Sequence, residues 1–388
     1  MNMKTQSLHN QLVEWRHDLH MNPQISFEEE YASNKVANLL KDFGLEVHQG
    51  IAKTGVVGVL KKGNSSKSIG IRADMDALPI NEMNTFSYKS KIENRMHACG
   101  HDGHTSILLG AAKYLAEHGN FDGTVYFIFQ PDEEKTQGAQ AMIDDGLFTK
   151  FEIDEVFAFH NLPGMKTGSF ASRAGTITAS ESLFKIELWG QGGHSALPHM
   201  GVDTITVGTQ IINSLQSIVS RKLNPAVNGV VSVTGFSADG TENVLPGYAL
   251  ITGDSRSLSP ESNKIIEDSM KDIVEGIAKA HNIKSSFSYY TRTNMTTNTA
   301  DQVEAAMTAA RTIVGKDMVD GNCEPKLFSE DFSQMTLVKP GCYILIGNGT
   351  EGPHGQSLHS SNYDFNDELL VIGSSYWSEL VYQRLSSS

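Results

Sequence analysis

Four short apolar runs in the first 160 residues constrain the fold most. Gly55–Leu60, Ile69–Ala73, Val125–Phe129 and Val156–Phe159 are each bounded by Gly, Pro, Asn or Asp, the punctuation expected of buried strands. Helical spacing separates them. It is clearest over Thr105–His118, where Ile107, Leu108, Ala111, Ala112 and Leu115 form one apolar stripe. Ahead of the runs, residues 5–43 read as a helical region, with Leu8, Leu12, Trp15 and Leu19 recurring near one turn apart, followed by Val36, Leu39 and Leu40. Gly44 closes it, as a glycine after a helix commonly does. Strands alternating with helices predict an α/β fold whose central, mostly parallel sheet is covered on both faces.

The pattern changes near Thr176. Phe184–Leu188 alternates like a half-buried strand, Asp203–Ser220 is an amphipathic helix, Gly229–Thr234 and Ala249–Arg256 are strand-like, and Pro260–His281 is a long helix. That order predicts a small α+β sandwich inserted into the chain. After about residue 291 the helix–strand alternation resumes, with Tyr343–Ile346 a buried strand. The expected organisation is a catalytic domain, residues 1–176 and 291–388, split by an inserted domain at 177–290, with hinges near 176 and 290.

Composition narrows the class of function. With 388 residues, 39% hydrophobic and 20% charged, the chain has neither the low hydrophobicity nor the charge density of a disordered protein. A net charge of −14 argues against nucleic acid, because neutralising phosphates needs clustered Lys and Arg. The N-terminal stretch is polar and helical without a signal-peptide core, and no run approaches the ~20 apolar residues of a membrane span. Cys99, Cys323 and Cys342 are too few and too scattered for a disulfide framework, so a reducing, cytoplasmic setting is expected.

The chemistry concentrates at Met96–His104, MHACGHDGH. Thiolate and imidazole are the ligands that borderline-soft divalent metals favour, and Cys99 and His101 are spaced to share one side of a turn. Alone, the segment does not establish a metal site, since a polar helix start capped by Asp102 or Thr105 accounts for it. Three further places change the balance. Asp74 and Asp76 follow the run Ile69–Ala73, Glu133 and Glu134 follow Val125–Phe129, and His160 follows Val156–Phe159. In open α/β sheets function gathers at the carboxyl ends of strands. Neighbouring glutamates on an extended chain point in opposite directions, so one is expected on a metal and the other toward substrate. Amide hydrolysis asks for that division, with an activated water, a general base and a proton donor for the leaving nitrogen.

Eight segments in order, GIRADMDALP, MHACGHDGH, FQPDEE, FHN, GQGGHSALP, ENVLP, SEDF and LHSSNYDFND, resemble the aminoacylase/carboxypeptidase group of cocatalytic metallopeptidases. More narrowly they resemble its N-acyl amino acid amidohydrolase branch, which includes hippurate hydrolases, auxin-conjugate hydrolases and N-acetyldiaminopimelate deacetylases. The resemblance implies two divalent metal ions, zinc or manganese first and nickel or cobalt after them, held by Cys99, His101, Glu134, His160 and His359. It places Glu133 as the general base that activates water and later protonates the amine. Asp76 falls where an aspartate orients a metal-binding histidine. His194 matches a histidine that stabilises the oxyanion, commonly in a partner subunit, and Asn243 and Arg256 match positions near the substrate carboxylate. It also implies a homodimer formed through the inserted domain.

Two positions depart from the branch, which usually reads FQPAEEG. Asp132 adds a third carboxylate and Lys135 replaces a glycine, and both are expected to bear on substrate preference or metal affinity. In broader relatives a histidine ligand stands at the position of Asp74. His97 and His104 are expected in supporting roles, and His9, His17, His20, His48, His118, His199, His281 and His354 at the surface or at caps. The competing readings are a metallo-exopeptidase on the same scaffold, Cys99 as a nucleophile beside a histidine, and a non-catalytic relative that binds acyl amino acids.

Overall fold

A computed structural model describes residues 8–386; the opening residues of the expected 5–43 helical region lie outside the described part. The chain divides into two compact units. The first runs up to Ile177 and returns over Thr297–Glu324 and from Asp331 onward, while the second comprises Thr178–Thr296 with Pro325–Glu330.

The first unit is the expected α/β layer structure. Its strands are β1 (Glu46–Ile51), β2 (Gly55–Lys62), β3 (Ser68–Asp74), β4 (Gly123–Gln130), β5 (Glu155–Pro163), β6 (Phe170–Ala171), β7 (Val319–Asp320) and β8 (Gly341–Gly349). They form one sheet in the order β1-β2-β4-β3-β5-β8-β6-β7. The four central strands, β4, β3, β5 and β8, run parallel, with Ile71 beside both Phe127 and Phe157, and Leu345 beside His160. Antiparallel pairs, β1 with β2 and β2 with β4, extend one edge. Every residue of β3 and β4 is buried, which explains the unbroken apolar runs in place of alternation.

Helices α1 (His9–Met21), α2 (Glu30–Asp42), α3 (His101–His118), α4 (Ala300–Val314) and α5 (Glu368–Arg384) accompany this sheet. The region expected to be helical over 5–43 is thus two helices, and the chain turns at Gly44 with φ +83°. Trp377 of α5 stacks on Phe159 of β5 at 4.9 Å between ring centroids, tying the C-terminal helix to the strand that carries His160. Arg72, buried in β3, is held by Gln130 at 2.9 Å, Asp74 at 2.7 Å and Asp331 at 3.0 Å, among others. A buried guanidinium is tolerated only when it is paired in this way.

The second unit is an antiparallel four-stranded sheet in the order Gly229–Ala238, Tyr248–Ser257, Ser180–Trp189, Lys284–Thr293. Tyr248–Ser257 alternates half-buried and buried residues along its whole length, the period-two signature of a sheet covered on one face. Helices Thr204–Ser217 and Pro260–Ala280 cover that face, packing Ile211, Leu215, Ile266 and Met270 against Ile186 and Ile251. Both helix starts are readable. The Asp203 side chain accepts the amide of Ile205 at 2.9 Å, and Ser259 accepts that of Ser262 at 3.0 Å ahead of Pro260. Among the described residues no helix is long and apolar enough to cross a membrane.

Candidate metal centre and active site

In the first unit the carboxyl ends of β3 and β4, the body of β5 and the N-terminus of α3 deliver a cluster of donors. Cys99 precedes α3 and His101 opens it; Gly100 between them takes φ +96°. A Cβ there would sit 2.4 Å from Asn161 Oδ1 and 2.6 Å from Tyr363 Oη, so both conformation and space demand glycine. His160 lies inside β5 and not past its end, because the strand continues to Pro163. His359, with φ +64°, comes from the loop after β8, where its amide donates to Ala98 O at 2.9 Å.

These side chains converge. Ligand-capable atoms of Cys99, His101 and His160 lie within 4.8 Å of one another, as do those of Cys99, Glu134 and His359, and of His101, Glu133 and Glu134. His101 Nδ1 donates to Asp76, to its carbonyl at 2.9 Å and its Oδ1 at 3.1 Å. His160 Nδ1 donates to Asn161 O at 2.7 Å. Both rings therefore turn Nε2 toward the cluster, the orientation a metal-binding imidazole takes when its other nitrogen is anchored. His160 Nε2 lies 3.3 Å from Cys99 Sγ, and His359 Nε2 lies 3.5 Å from Glu134 Oε2.

The two glutamates do not diverge as an extended chain would require. Asp132 adopts φ +49° and Thr136 φ +60°, so Glu133 and Glu134 occupy a turn. An oxygen of each faces His101 Nε2, at 4.0 Å and 3.9 Å. Gly138 closes the turn: a Cβ there would fall 1.6 Å from Pro131 O.

Electrostatics follow from crowding anions in a dry place. Burial opposes charge on His101, but Asp74, Asp76 and Glu134 outweigh it and push the imidazole up to about 10. Burial pushes the Glu134 carboxyl up to about 7, with Asp76 adding to it. Burial, Glu134 and Glu133 push the Cys99 thiol well up, while burial and His104 push His160 well down, leaving a neutral ring. The cluster calls for positive charge. His101 Nε2 and Glu134 Oε1 are buried without a hydrogen-bond partner, an arrangement that costs stability unless something else pairs them. A thiol, imidazoles and carboxylates around two orphaned buried atoms fit divalent cations.

Asp74 borders this set, its Oδ2 lying 3.7 Å from His101 Nε2. Burial opposes its ionisation, yet His101, His104 and Arg72 hold its carboxyl well below the usual range. It accepts from His104 Nδ1 at 2.7 Å and from Arg72 at 2.7 Å. His104 in turn accepts the Asn161 amide at 3.1 Å, and Asn161 donates to Tyr363 Oη at 2.5 Å. Asn161 and Tyr363 escape sequence reasoning on charge and spacing, although both lie inside the quoted segments FHN and LHSSNYDFND. His20 corrects its expected surface position. It is fully buried, 2.8 Å from Asp102 and 3.1 Å from Glu82.

The remaining candidates belong to the second unit. His194 is exposed on a two-residue strand paired with Val244, and its Nδ1 accepts the amide of Ala196 at 3.1 Å. Asn243, also exposed, neighbours it through its carbonyl, which accepts from Ser195 at 3.0 Å. Arg256 is engaged on every side, with Asp254 and Glu181 each at 2.7 Å and Ser329 at 2.8 Å.

This α/β sheet, with its cluster of thiol, imidazole and carboxylate donors, has the build of a metal-dependent hydrolase. The chain belongs to Peptidase family M20/M25/M40, whose model matches residues 70–383. It is 43% identical to the hippurate hydrolase of Campylobacter jejuni over 95% of both chains. It is 33% identical to the N-acetylcysteine deacetylase of Bacillus subtilis, over 97% of this chain and 98% of that one. Among solved structures, a dinuclear metal binding peptidase of the M20 family from Bacillus subtilis superposes with a TM-score of 0.86 at 29% identity, covering 99% of this chain and all of that one. The chain is accordingly a metal-dependent amidohydrolase.

Proposed function

We propose that the chain hydrolyses the amide bond of N-acyl and N-aroyl amino acids, with hippurate-type substrates first among them. Support comes from the relatives named as hippurate hydrolase and N-acetylcysteine deacetylase, and from the donor cluster around His101 Nε2 and Glu134 Oε1. Cys99, His101, Glu134, His160 and His359 would hold two divalent cations, zinc or manganese before nickel or cobalt. Bound cations would polarise the scissile carbonyl and make water acidic enough to ionise near neutral pH. Glu133 takes the proton from the attacking water and delivers it to the leaving nitrogen. Asp76 fixes the His101 ring. His194 steadies the oxyanion, and Asn243 and Arg256 receive the substrate carboxylate, for which Arg256 must exchange one of its present carboxylate partners.

A homodimer through the second unit belongs to the same proposal. The edge strand Gly229–Ala238 and the exposed Val219, Phe236 and Val244 offer backbone and apolar surface for it. We place the enzyme in the cytoplasm, where the three free cysteines stay reduced.

The 3.3 Å contact between Cys99 and His160 also permits a nucleophilic thiolate reading. A thiol pushed up beside a neutral imidazole is the reverse of the activated pair that reading needs. Elemental analysis followed by a panel of hippurate, N-acetyl amino acids and dipeptides, with and without chelator, tests the proposal. Chelator-sensitive release of the free amino acid from acylated substrates is expected. Activity that survives chelation and is lost on thiol alkylation, or activity confined to dipeptides, would overturn it.

A further inference from the structure

Asp132 occupies the place where the resembled branch has alanine, directly ahead of Glu133 and Glu134. The side chain is fully buried and accepts the hydroxyl of Ser26, from the connection between α1 and α2. The Asp132 amide donates to Glu29 Oε1 at 3.1 Å. Glu29, also fully buried, accepts the amide of Phe27 at 2.9 Å and the hydroxyl of Thr54 at 2.6 Å. On its other side Asp132 O accepts the amides of Gly138 at 3.0 Å and Gln137 at 3.3 Å.

The same segment grips the neighbouring loop. Gln24 O accepts the amide of Ala77 at 2.8 Å, one residue beyond Asp76, and Asp76 Oδ2 accepts the amide of Glu134 at 3.0 Å. A closed circuit results, running from residues 24–29 to Ala77 and Asp76, on to Glu134, back to Asp132 and home to Ser26 and Glu29. Left-handed backbone at a residue other than glycine is costly and persists only where its surroundings over-determine it. Asp tolerates that region better than alanine does, because its short polar side chain finds a local partner.

We propose that Ser26 and Glu29 are positioning residues that act through Asp132 to hold the turn aiming Glu133 and Glu134. The side chains of Ser26 and Glu29 spend their hydrogen bonds on Asp132 and its surroundings, and so act on the reaction only through the turn. Proton transfer is sensitive to sub-ångström displacement, and a misplacement of about 1 Å costs on the order of 100-fold. Ser26 removes less than that, since Glu29 still holds the Asp132 amide. The inference rests on Glu133 as the proton carrier.

The test compares kcat, KM, cation affinity by calorimetry and urea stability for holoenzyme carrying S26A, S26T, D132A and the S26A/D132A pair, with E133Q alongside. S26A is expected to lower kcat about tenfold with KM within about twofold, and S26T to restore it. The double variant should fall no further than the worse single one, because both remove one linkage. Unchanged kcat in S26A, failure of S26T to restore it, or additive losses in the pair would each overturn the proposal. If D132A does not fold, S26A and S26T decide it alone. Near-full turnover in E133Q would instead sink the assignment of the proton carrier.

Discussion

Asp76 divides its two carboxylate oxygens between two parts of the cluster: Oδ1 receives His101 Nδ1 at 3.1 Å and Oδ2 receives the Glu134 amide at 3.0 Å. One side chain thus sets both the ring orientation of a proposed ligand and the placement of the residue after the proposed base. Groups that orient ligands are commonly worth ~10- to 100-fold in metal affinity. Asp76→Ala should weaken divalent cation binding by about that factor, measured by competition with a chromophoric chelator. Binding within twofold of the parent would remove Asp76 from this role.

Glu133 is the group assigned to carry protons, and its loss separates chemistry from binding. Glu133→Gln keeps size and hydrogen-bonding reach but abolishes basicity. Turnover of hippurate should fall by ~100- to 10,000-fold, with cation content by elemental analysis unchanged. A variant that keeps a tenth or more of parental kcat would require another base.

Gly100 is a steric hinge between two proposed ligands. Gly100→Ala places a methyl against Asn161 Oδ1 and Tyr363 Oη in a left-handed backbone. The strain and overpacking should each cost about 1–3 kcal/mol. Urea unfolding of the variant should show the loss, accompanied by weaker cation binding. Parental stability would mean that the Asn161–Tyr363 pair moves aside freely.

His20 makes stability depend on alkaline pH. Burial opposes its charge, but Asp102 and Glu82 outweigh burial and raise its pKa from 6.5 to about 9, against the opposing charge of Arg16. A raised folded-state pKa means the folded form binds the proton more tightly. Its contribution is fully present below pH 6.5 and is lost as pH rises through 9. The amount is about 3 kcal/mol. Between pH 6 and pH 10 the parent should lose more stability than His20→Asn by about that amount, read from urea midpoints. Parallel curves for the two proteins would refute the assignment.

The layers of the fold and most of the donor set were legible because they depend on local signals. Apolar runs such as Ile69–Ala73 mark strands buried on both faces, and donors at their ends fall at one edge of a parallel sheet. What escaped depends on partners distant in the chain or on backbone without a glycine to announce it. His20 reads as a polar residue of an exposed helix face until Glu82 and Asp102, 62 and 82 residues away, are brought beside it. The convergence of Glu133 and Glu134 turns on the φ of +49° at Asp132, a left-handed residue that is not itself a glycine. Arg256 matches a position near the substrate carboxylate, and nothing near it in sequence besides Asp254 shows that Glu181 and Ser329 engage it.

The return of the chain to the first unit after its excursion has a consequence for biosynthesis. Four of the five proposed donors have been synthesised once His160 is made, but His359 follows nearly two hundred residues later. At ~5–20 residues per second that interval is on the order of 10–40 s. For most of it the sheet lacks β8, the central strand that pairs with the one carrying His160, so the proposed donor set stays open. The proposed centre is therefore completed only after the whole second unit has been made, when His359 joins the four earlier donors.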